Sequence, residues 1–574
     1  MPNTTHIEQR TSDNKIDLVG LPDALSRVLN SRGVSSNQQI DYSLKRLLPP
    51  QSLSNINDAA HLLAEAITAD ANIVIVGDFD ADGATSCALA IRCLTAFGLK
   101  NVSYLVPNRF EYGYGLSPEI VGVAAMRQPD VIITVDNGIS SVDGVHAAQQ
   151  LGMSVLITDH HLPGEEIPTA DVIVNPNLPN DRFASKNLAG VGVIFYVMLA
   201  TRAKLREQDW FQQSGIQEPN MSQYLDLVAL GTVADVVPLD QNNRILVQQG
   251  MQRIRQGQAC FGIDALLTVG KRNSSRLSSS DLGFAVGPRL NAAGRLDDMS
   301  VGIECLLADS EEKAMSLALQ LDQLNRERRE VEQSMQQDAL AIIEQITLDE
   351  TEQPDIYILH DDSWHQGVVG LVASRIKERT NRPVLALAPS DTEGEYKGSA
   401  RSVEGIHIRD VFARLEATHP NLMDKFGGHA MAAGLSIDGK KIPEFKRALE
   451  SVVKEMTEGH DWEQVLLSDG ELDSQEFNME FAEQIRQLSP WGQGFPEPLF
   501  DGYFEVIDAR VVGDTHAKLK LRPLVGDQHI DAICFGYLSS HDSLPQGEIR
   551  AAYRLDVNEF RERKNLQLMI QHIE

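Results

Sequence analysis

Three carboxylates crowd into five residues at Asp78, Asp80 and Asp82, just after an apolar run (73–76) and just before Gly83. Like charges packed so closely cost free energy unless a cation offsets them, so the stretch reads as a metal site. Three further stretches carry ligand-type side chains beside short apolar runs: Asp136 after VIITV, Asp159-His160-His161 after SVLIT, and Asp235 in VADVVPL. Each has an ordinary reading alone. An aspartate ahead of a glycine turn usually serves the turn or a helix cap, a pair of histidines is usually structural or exposed, and a lone aspartate is a loop carboxylate. Together they offer oxygen and imidazole without thiolate, a set suited to Mn²⁺ or Mg²⁺ rather than to structural zinc.

Such side chains work only if the fold brings them together. From residue 71 onward short apolar runs alternate with helical patterns: 101–110, 131–138, 154–161 and 171–177 read as strands with their following loops, and 84–97, 191–201 and 224–232 as helices. Short apolar runs bounded by turn residues are strands buried on both faces, and their alternation with helices predicts an α/β, doubly wound parallel sheet. Ligands bind such a sheet at the carboxyl ends of its strands. The four clusters are therefore expected to be four strand ends on one rim. Helices are expected at 22–30 and 57–69. Residues 311–346 place Leu317, Leu321, Leu324, Val331, Met335, Ile342 and Ile346 at helical spacing, interrupted by the polar NRERRE at 325–330. At ~1.5 Å per residue this helix reaches roughly 50 Å, a length that suits a bridge between lobes. A second alternating region covers about 355–455, and five strand patterns at the chain end predict a small β-barrel.

The chain has 574 residues, too many for one core, so two to four domains are expected. Its net charge of −30 argues against indiscriminate binding of nucleic acid, while a local basic path can coexist with an acidic exterior. No apolar stretch is long enough to span a bilayer, the amino-terminal residues lack a signal-peptide core, and five scattered cysteines show no metal-type spacing. A cytoplasmic protein with reduced, buried thiols is expected, with a monomer as the default.

VGDFDADG, TVDNG, TDHH and VADVVPL, in that order, resemble the four motifs of the DHH phosphoesterase superfamily. PRLNAAGR (288–295), WHQGVVGLVASRI (364–376), GSARS (398–402) and FGGHAMAAG (426–434) resemble its companion DHHA1 region, and WGQGFPEPLF (491–500) resembles the entry to a terminal OB fold. The whole order is similar to that of the superfamily's single-strand-specific 5′→3′ exonucleases. The resemblance implies an amino-terminal extension packing on the catalytic lobe (1–70), a DHH catalytic domain (71–310), a bridging helix (311–348), a smaller α/β DHHA1 domain (349–458) and an OB-type barrel that binds single strands (459–574). It implies metal ligands at Asp80, Asp82, Asp136, His160 and Asp235, with Asp136 bridging two divalent cations, Mn²⁺ or Mg²⁺. His161 is assigned to the substrate phosphate, Asp159 to orienting a histidine, and Asp78 to the catalytic set. Related pyrophosphatases carry a histidine where Val76 stands, so Asp78 or water is expected to complete the first metal site.

The phosphate contacts expected from these motifs are Arg109, Arg289, Asn291, Arg295, Ser399, Arg401, Gly427, Gly428 and His429. On the barrel, Lys518, Lys520 and Arg522 alternate with apolar residues and so share one strand face. With Phe535, Tyr537, Tyr553 and Phe560 nearby they are expected to form a track for single strands. The implied activity is metal-dependent hydrolysis of single-stranded DNA from the 5′ end to 5′-mononucleotides in recombination and repair, beside a helicase and a single-strand-binding protein. One alternative is a DHH phosphodiesterase acting on oligoribonucleotides or cyclic dinucleotides, against which the additional barrel argues. The other is an inactive DNA-binding scaffold, against which the intact ligand set argues.

Overall fold

The computed structural model describes residues 5–12, 16–107, 115–349, 353–460, 462–539, 541–560 and 563–574, so Arg109 lies outside the described residues. The chain forms two compact units, Ile7–Gln323 with Leu467–Glu574, and Leu324–Leu466 with the extreme amino terminus. In the larger unit, β1 (Ile73–Gly77), β2 (Val102–Leu105), β3 (Val131–Val135), β4 (Ser154–Thr158) and β5 (Val172–Val174) make one sheet in the order β2-β1-β3-β4-β5. All its pairings are parallel. Every residue of β1 and β3 is buried, as in a sheet covered on both faces. The winding reverses at β1, which makes the gap between the β1 and β3 ends the switch point where such sheets bind ligands. Register does the rest. Gly77 pairs with Val135 and Val135 with Thr158, so the next residues, Asp78, Asp136 and Asp159, emerge side by side.

Four helices complete the surroundings of that rim: α1 (Ala81–Ala96), α2 (Gly190–Glu207), α3 (Leu225–Ala234) and α4 (Gly287–Leu296), the last entered through a π-helical turn at Leu282–Val286. Asp235 does not follow a strand, contrary to the expectation of four strand ends; it is the residue that ends α3. The helix expected at 224–232 continues to Ala234, so the start of VADVVPL is its last turn and not a strand. The amino-terminal segment does more than pack on the lobe. Arg32 makes a two-point ion pair with Asp469 at 2.7 and 2.8 Å and donates to the Pro496 carbonyl, tying this segment to the start of the carboxyl-terminal region.

A single helix, α5, runs from Glu311 to Asp349, about 58 Å at ~1.5 Å per residue. It continues through the polar stretch that looked like an interruption. Asn325, Arg328 and Glu332 are buried and bond one another, with Arg375 reaching Glu332 at 3.1 Å. Beyond it the smaller unit holds β6 (Tyr357–His360), β7 (Val384–Pro389), β8 (Glu395–Arg401), β9 (Lys425–Gly428) and β10 (Ala432–Asp438) in the mixed order β9-β10-β8-β7-β6. Its core includes Leu385, Leu387, Phe412, Ile437, Phe445 and Leu449.

The terminal strands β11 (Phe500–Val512), β12 (His516–Pro523), β13 (Ile530–Cys534), β14 (Gly547–Phe560) and β15 (Arg563–Ile573) close into a barrel in the order β11-β12-β13-β15-β14. A five-stranded barrel of this kind is the OB architecture. Phe500, Phe504 and Tyr553 fill it, with the Phe504 and Tyr553 rings 5.4 Å apart. Tyr553 is therefore core and not part of a stacking surface. No helix among the described residues is long and apolar enough to cross a membrane.

Candidate metal centre

Side chains from four separated stretches meet at the rim. His160 Nε2 lies 3.1 Å from Asp136 Oδ1, 3.5 Å from Asp235 Oδ2 and 4.0 Å from Asp82 Oδ2. Three overlapping groups each hold ligand atoms within 4.8 Å of one another: Asp82-His160-Asp235, Asp136-His160-His161, and Asp78-Asp80-Asp136. Asp136 and His160 belong to two groups each, the sharing that a two-cation centre requires. Asp78 stands with Asp80 and Asp136 in the third of these groups.

The fold pins each carboxylate separately. Asp80 caps α1, its side chain accepting from the Asp82 and Gly83 amides. Asp82 sits under the start of α2 and accepts from the Gly190 amide at 2.6 Å and the Val191 amide at 2.9 Å. These amides are the positive end of a helix, which favours an anion there. Close approach explains the glycines. A Cβ on Gly190 would lie 2.6 Å from Asp136 Cβ, and one on Gly231 would lie 2.8 Å from Asp82 Oδ1. Asp136 takes left-handed backbone at φ 63°, which aspartate tolerates better than most residues. Asn137 secures the strand ends by donating to the Val76 and Val135 carbonyls. Asp159 orients the His161 ring: its Oδ1 meets His161 Nδ1 at 2.7 Å and also accepts the His160 amide at 2.7 Å, and its Oδ2 accepts the Ile139 amide.

The electrostatics are those of a site built for cations. Burial, then the neighbouring Asp80 charge, pushes Asp82 up to about 7 against the opposing pull of the Val191 and Gly190 amides. Asp136 is raised well above its usual range by burial and by Asp82, Asp80, Asp235 and Asp78, and Asp235 by burial and by Asp82, Asp80 and Asp78. Burial opposes charge on both Asp159 and His161, yet their mutual bond outweighs it. The Asp159 carboxyl is lowered and the His161 imidazole raised.

Several of the expected phosphate contacts make bonds within the protein. Arg289 is buried with all three guanidinium nitrogens engaged, Nε and Nη2 by Asp322 and Nη1 by the Ala285 carbonyl. Asn291 accepts the Ala81 amide at 2.7 Å and so steadies the start of α1 between Asp80 and Asp82. Arg295 lies half-buried near the end of α4. On the barrel, Lys518, Lys520 and Arg522 do share the outer face of β12. Carboxylates offset them, however: Lys518 lies 3.8 Å from Asp531, Arg522 pairs with Glu505, and Lys520 is flanked by Asp508 and Asp531. The Phe560 side chain lies outside the described residues.

In the smaller unit three expected segments converge. Ser399 of β8 pairs with Gly434 of β10, and Gly434 with Gly427 of β9. Gly428 adopts φ 136°, and His429, exposed, opens the hairpin with its amide on the Ala432 carbonyl. Arg401 Nη1 donates to Ser399 Oγ at 2.9 Å and to the Ala400 carbonyl. Burial lowers the Arg401 guanidinium, and no carboxylate among the described residues pairs with it. A half-buried cation without a counter-charge is a place for an anion.

Sequence reasoning missed Gly190, Val191, Gly231 and Asn137. Their role is contact across the fold, and the local signals are the TVDNG motif that contains Asn137 and the glycine in GVGV where α2 begins.

Known proteins bear on this geometry. The DHH family N-terminal domain model matches residues 72–232, the DHHA1 domain model residues 353–455, and the RecJ OB domain model residues 468–572. Fold and site thus define a DHH protein with a DHHA1 lobe and an OB barrel. The single-stranded-DNA-specific exonuclease RecJ of Dickeya dadantii (strain 3937) is 52% identical over 96% of this chain and 96% of its own. The crystal structure of RecJ from Thermus thermophilus in complex with Mn²⁺ superposes with a TM-score of 0.79 at 28% identity, over 96% of this chain and 76% of that one. The Mg²⁺ complex from the same organism gives 0.73 at 26% identity, over 96% of this chain and 75% of that one. The chain belongs to the RecJ family.

Proposed function

We propose that the chain is a single-stranded-DNA-specific exonuclease that uses two divalent cations, Mn²⁺ or Mg²⁺, and removes 5′-mononucleotides from the 5′ end. The observation that supports it is the set of three overlapping ligand groups sharing Asp136 and His160. Asp82, His160, Asp235 and Asp136 would hold one cation, and Asp136 with Asp80 and Asp78 the other. Cations bound there supply acidified water and offset the charge of the phosphodiester. His161, whose imidazole Asp159 holds through Nδ1 and biases toward its charged form, presents Nε2 to a nonbridging phosphate oxygen. Asp159 fixes the ring so that this nitrogen is the one presented. The amides on Asp82 and the bond from Asn291 hold the carboxylates in place before substrate arrives, which spares reorganisation during the reaction.

Arg401, with Ser399, Gly427, Gly428 and His429, binds a phosphate of the strand, the 5′-terminal one in this reading. Recognition of that end gives polarity. The same reading places the protein in recombination and repair, as a cytoplasmic monomer working beside a helicase and a single-strand-binding protein. Digestion of a DNA strand labelled at either end, with and without Mn²⁺, tests it. Metal-dependent release of 5′-labelled mononucleotide is expected first; early loss of the 3′ label, or cutting in a chelator, refutes it.

A further inference from the structure

Val174, the last residue of β5, pairs with Thr158 of β4, so Asn175 emerges beside Asp159. Pro176 and Asn177 follow it. Proline fixes its own φ and turns the residue before it away from helical backbone, so Asn-Pro-Asn is a stiff spacer with one side-chain amide at each end. Both amides reach back to the histidine pair. Asn177 Nδ2 donates to the His160 carbonyl at 2.6 Å, and Asn175 Nδ2 donates to the His161 carbonyl at 2.9 Å. The spacer is itself braced. Asn175, fully buried, accepts the Asn177 amide on Oδ1 at 2.7 Å. Lys186 Nζ donates to the Pro176 carbonyl at 2.6 Å, and its charge meets Asp181 at 3.0 Å. On the other side of the pair, Asp159 Oδ1 accepts the His160 and His161 amides at 2.7 and 3.1 Å. All four main-chain polar groups of His160–His161 are thus held, the N–H groups by Asp159 and the carbonyls by the two asparagines.

We infer that Asn175 and Asn177 are positioning residues that set the two imidazoles separately, Asn177 holding His160 for the cations and Asn175 holding His161 for the phosphate. The inference rests on the two-cation nuclease reading. His160 Nε2 faces Asp136, Asp235 and Asp82, so slack in the main chain at His160 is felt as weaker cation binding. An excess of cation restores that site. His161 has its Nδ1 on Asp159, so slack there displaces the Nε2 that meets the phosphate, and no excess of cation restores it. Groups that orient ligands in this way are worth roughly 10–100-fold in metal affinity or activity.

Two measurements on the full chain test it, using wild type, Asn177→Ala and Asn175→Ala. One is a Mn²⁺ titration without DNA, read from the paramagnetic resonance of free Mn²⁺. The other is mononucleotide release from a 5′-phosphorylated single strand at saturating Mn²⁺. Asn177→Ala should raise the Mn²⁺ Kd roughly tenfold or more and keep kcat within about threefold of wild type. Asn175→Ala should keep the Mn²⁺ Kd within about threefold and lose roughly tenfold or more in kcat. A melt in chelator accompanies each variant. Where Asn175→Ala melts below the assay temperature, Asn175→Ser replaces it, its hydroxyl falling one bond short of the His161 carbonyl. Losses in both measurements for both variants, as a merely loosened loop would give, overturn the inference; so does either variant matching wild type in both. A wild type that releases no mononucleotide refutes the nuclease reading instead, and the Mn²⁺ titration still decides the role of Asn177.

Discussion

Replacing Gly190 by alanine places the added methyl against the centre of the site. Its Cβ would meet Asp136 Cβ at 2.6 Å, Cγ at 2.8 Å and Oδ1 at 2.7 Å. Carbon atoms rest at about 3.5–4.0 Å, so Asp136 or the start of α2 must move by about 1 Å. Overpacking of this size costs roughly 1–3 kcal/mol of stability, partly offset by alanine's better helix propensity of ~1 kcal/mol. Function should suffer more. The Gly190 amide holds Asp82 Oδ2 at 2.6 Å, so the same movement disturbs two carboxylates. A misplacement of ~1 Å costs on the order of a hundredfold in rate. The assay is mononucleotide release under saturating Mn²⁺, with a thermal melt and a single-strand binding isotherm on the same preparation. Gly122→Ala, where an added Cβ meets nothing within 4 Å, is the control and should retain full activity. A Gly190→Ala enzyme that folds and turns over at the wild-type rate would refute the claim that close packing on Asp136 sets the metal geometry.

Arg401→Ala should weaken use of 5′-phosphorylated ends at least tenfold while total strand affinity changes little; comparing phosphorylated and unphosphorylated substrates checks this, and equal losses on both measures count against it. Without cations, Asp82 binds its proton more tightly in the folded state, near pH 7 against a usual 3.8, so folded stability declines as pH rises from about 4 through about 7. This one group is worth on the order of 4 kcal/mol at most. Melts from pH 5.5 to 8 should therefore fall more steeply in chelator than in Mn²⁺, and identical slopes would contradict the assignment. Arg32→Ala strands the buried Asp469 carboxylate and should destabilise the protein by about 3–5 kcal/mol, read from denaturant unfolding, with kcat of the folded fraction unchanged.

The rim was legible because three of its clusters follow strands buried along all or all but one of their residues, where an apolar run ending in carboxylates has one natural reading. Asp235 was placed at a strand end because the helix read at 224–232 was ended two residues early; it runs to Ala234, and Asp235 closes it. Arg289 and Asn291 were assigned to phosphate from their motif; the bonds they make within the protein, to Asp322 and the Ala81 amide, were not legible in it. The period-two pattern correctly set Lys518, Lys520 and Arg522 on one face, but the acids that offset them lie on the neighbouring strands β11 and β13. Pairing across a sheet is invisible to a local pattern. The same holds for Gly190 and Gly231, whose neighbours at the site lie far away in sequence.

The most direct test is an anomalous difference map from crystals of this protein grown with Mn²⁺. Two peaks are predicted, one against Asp82, His160 and Asp235 and one against Asp78 and Asp80, with Asp136 touching both. A single peak, or peaks away from Asp136, would contradict the two-cation account.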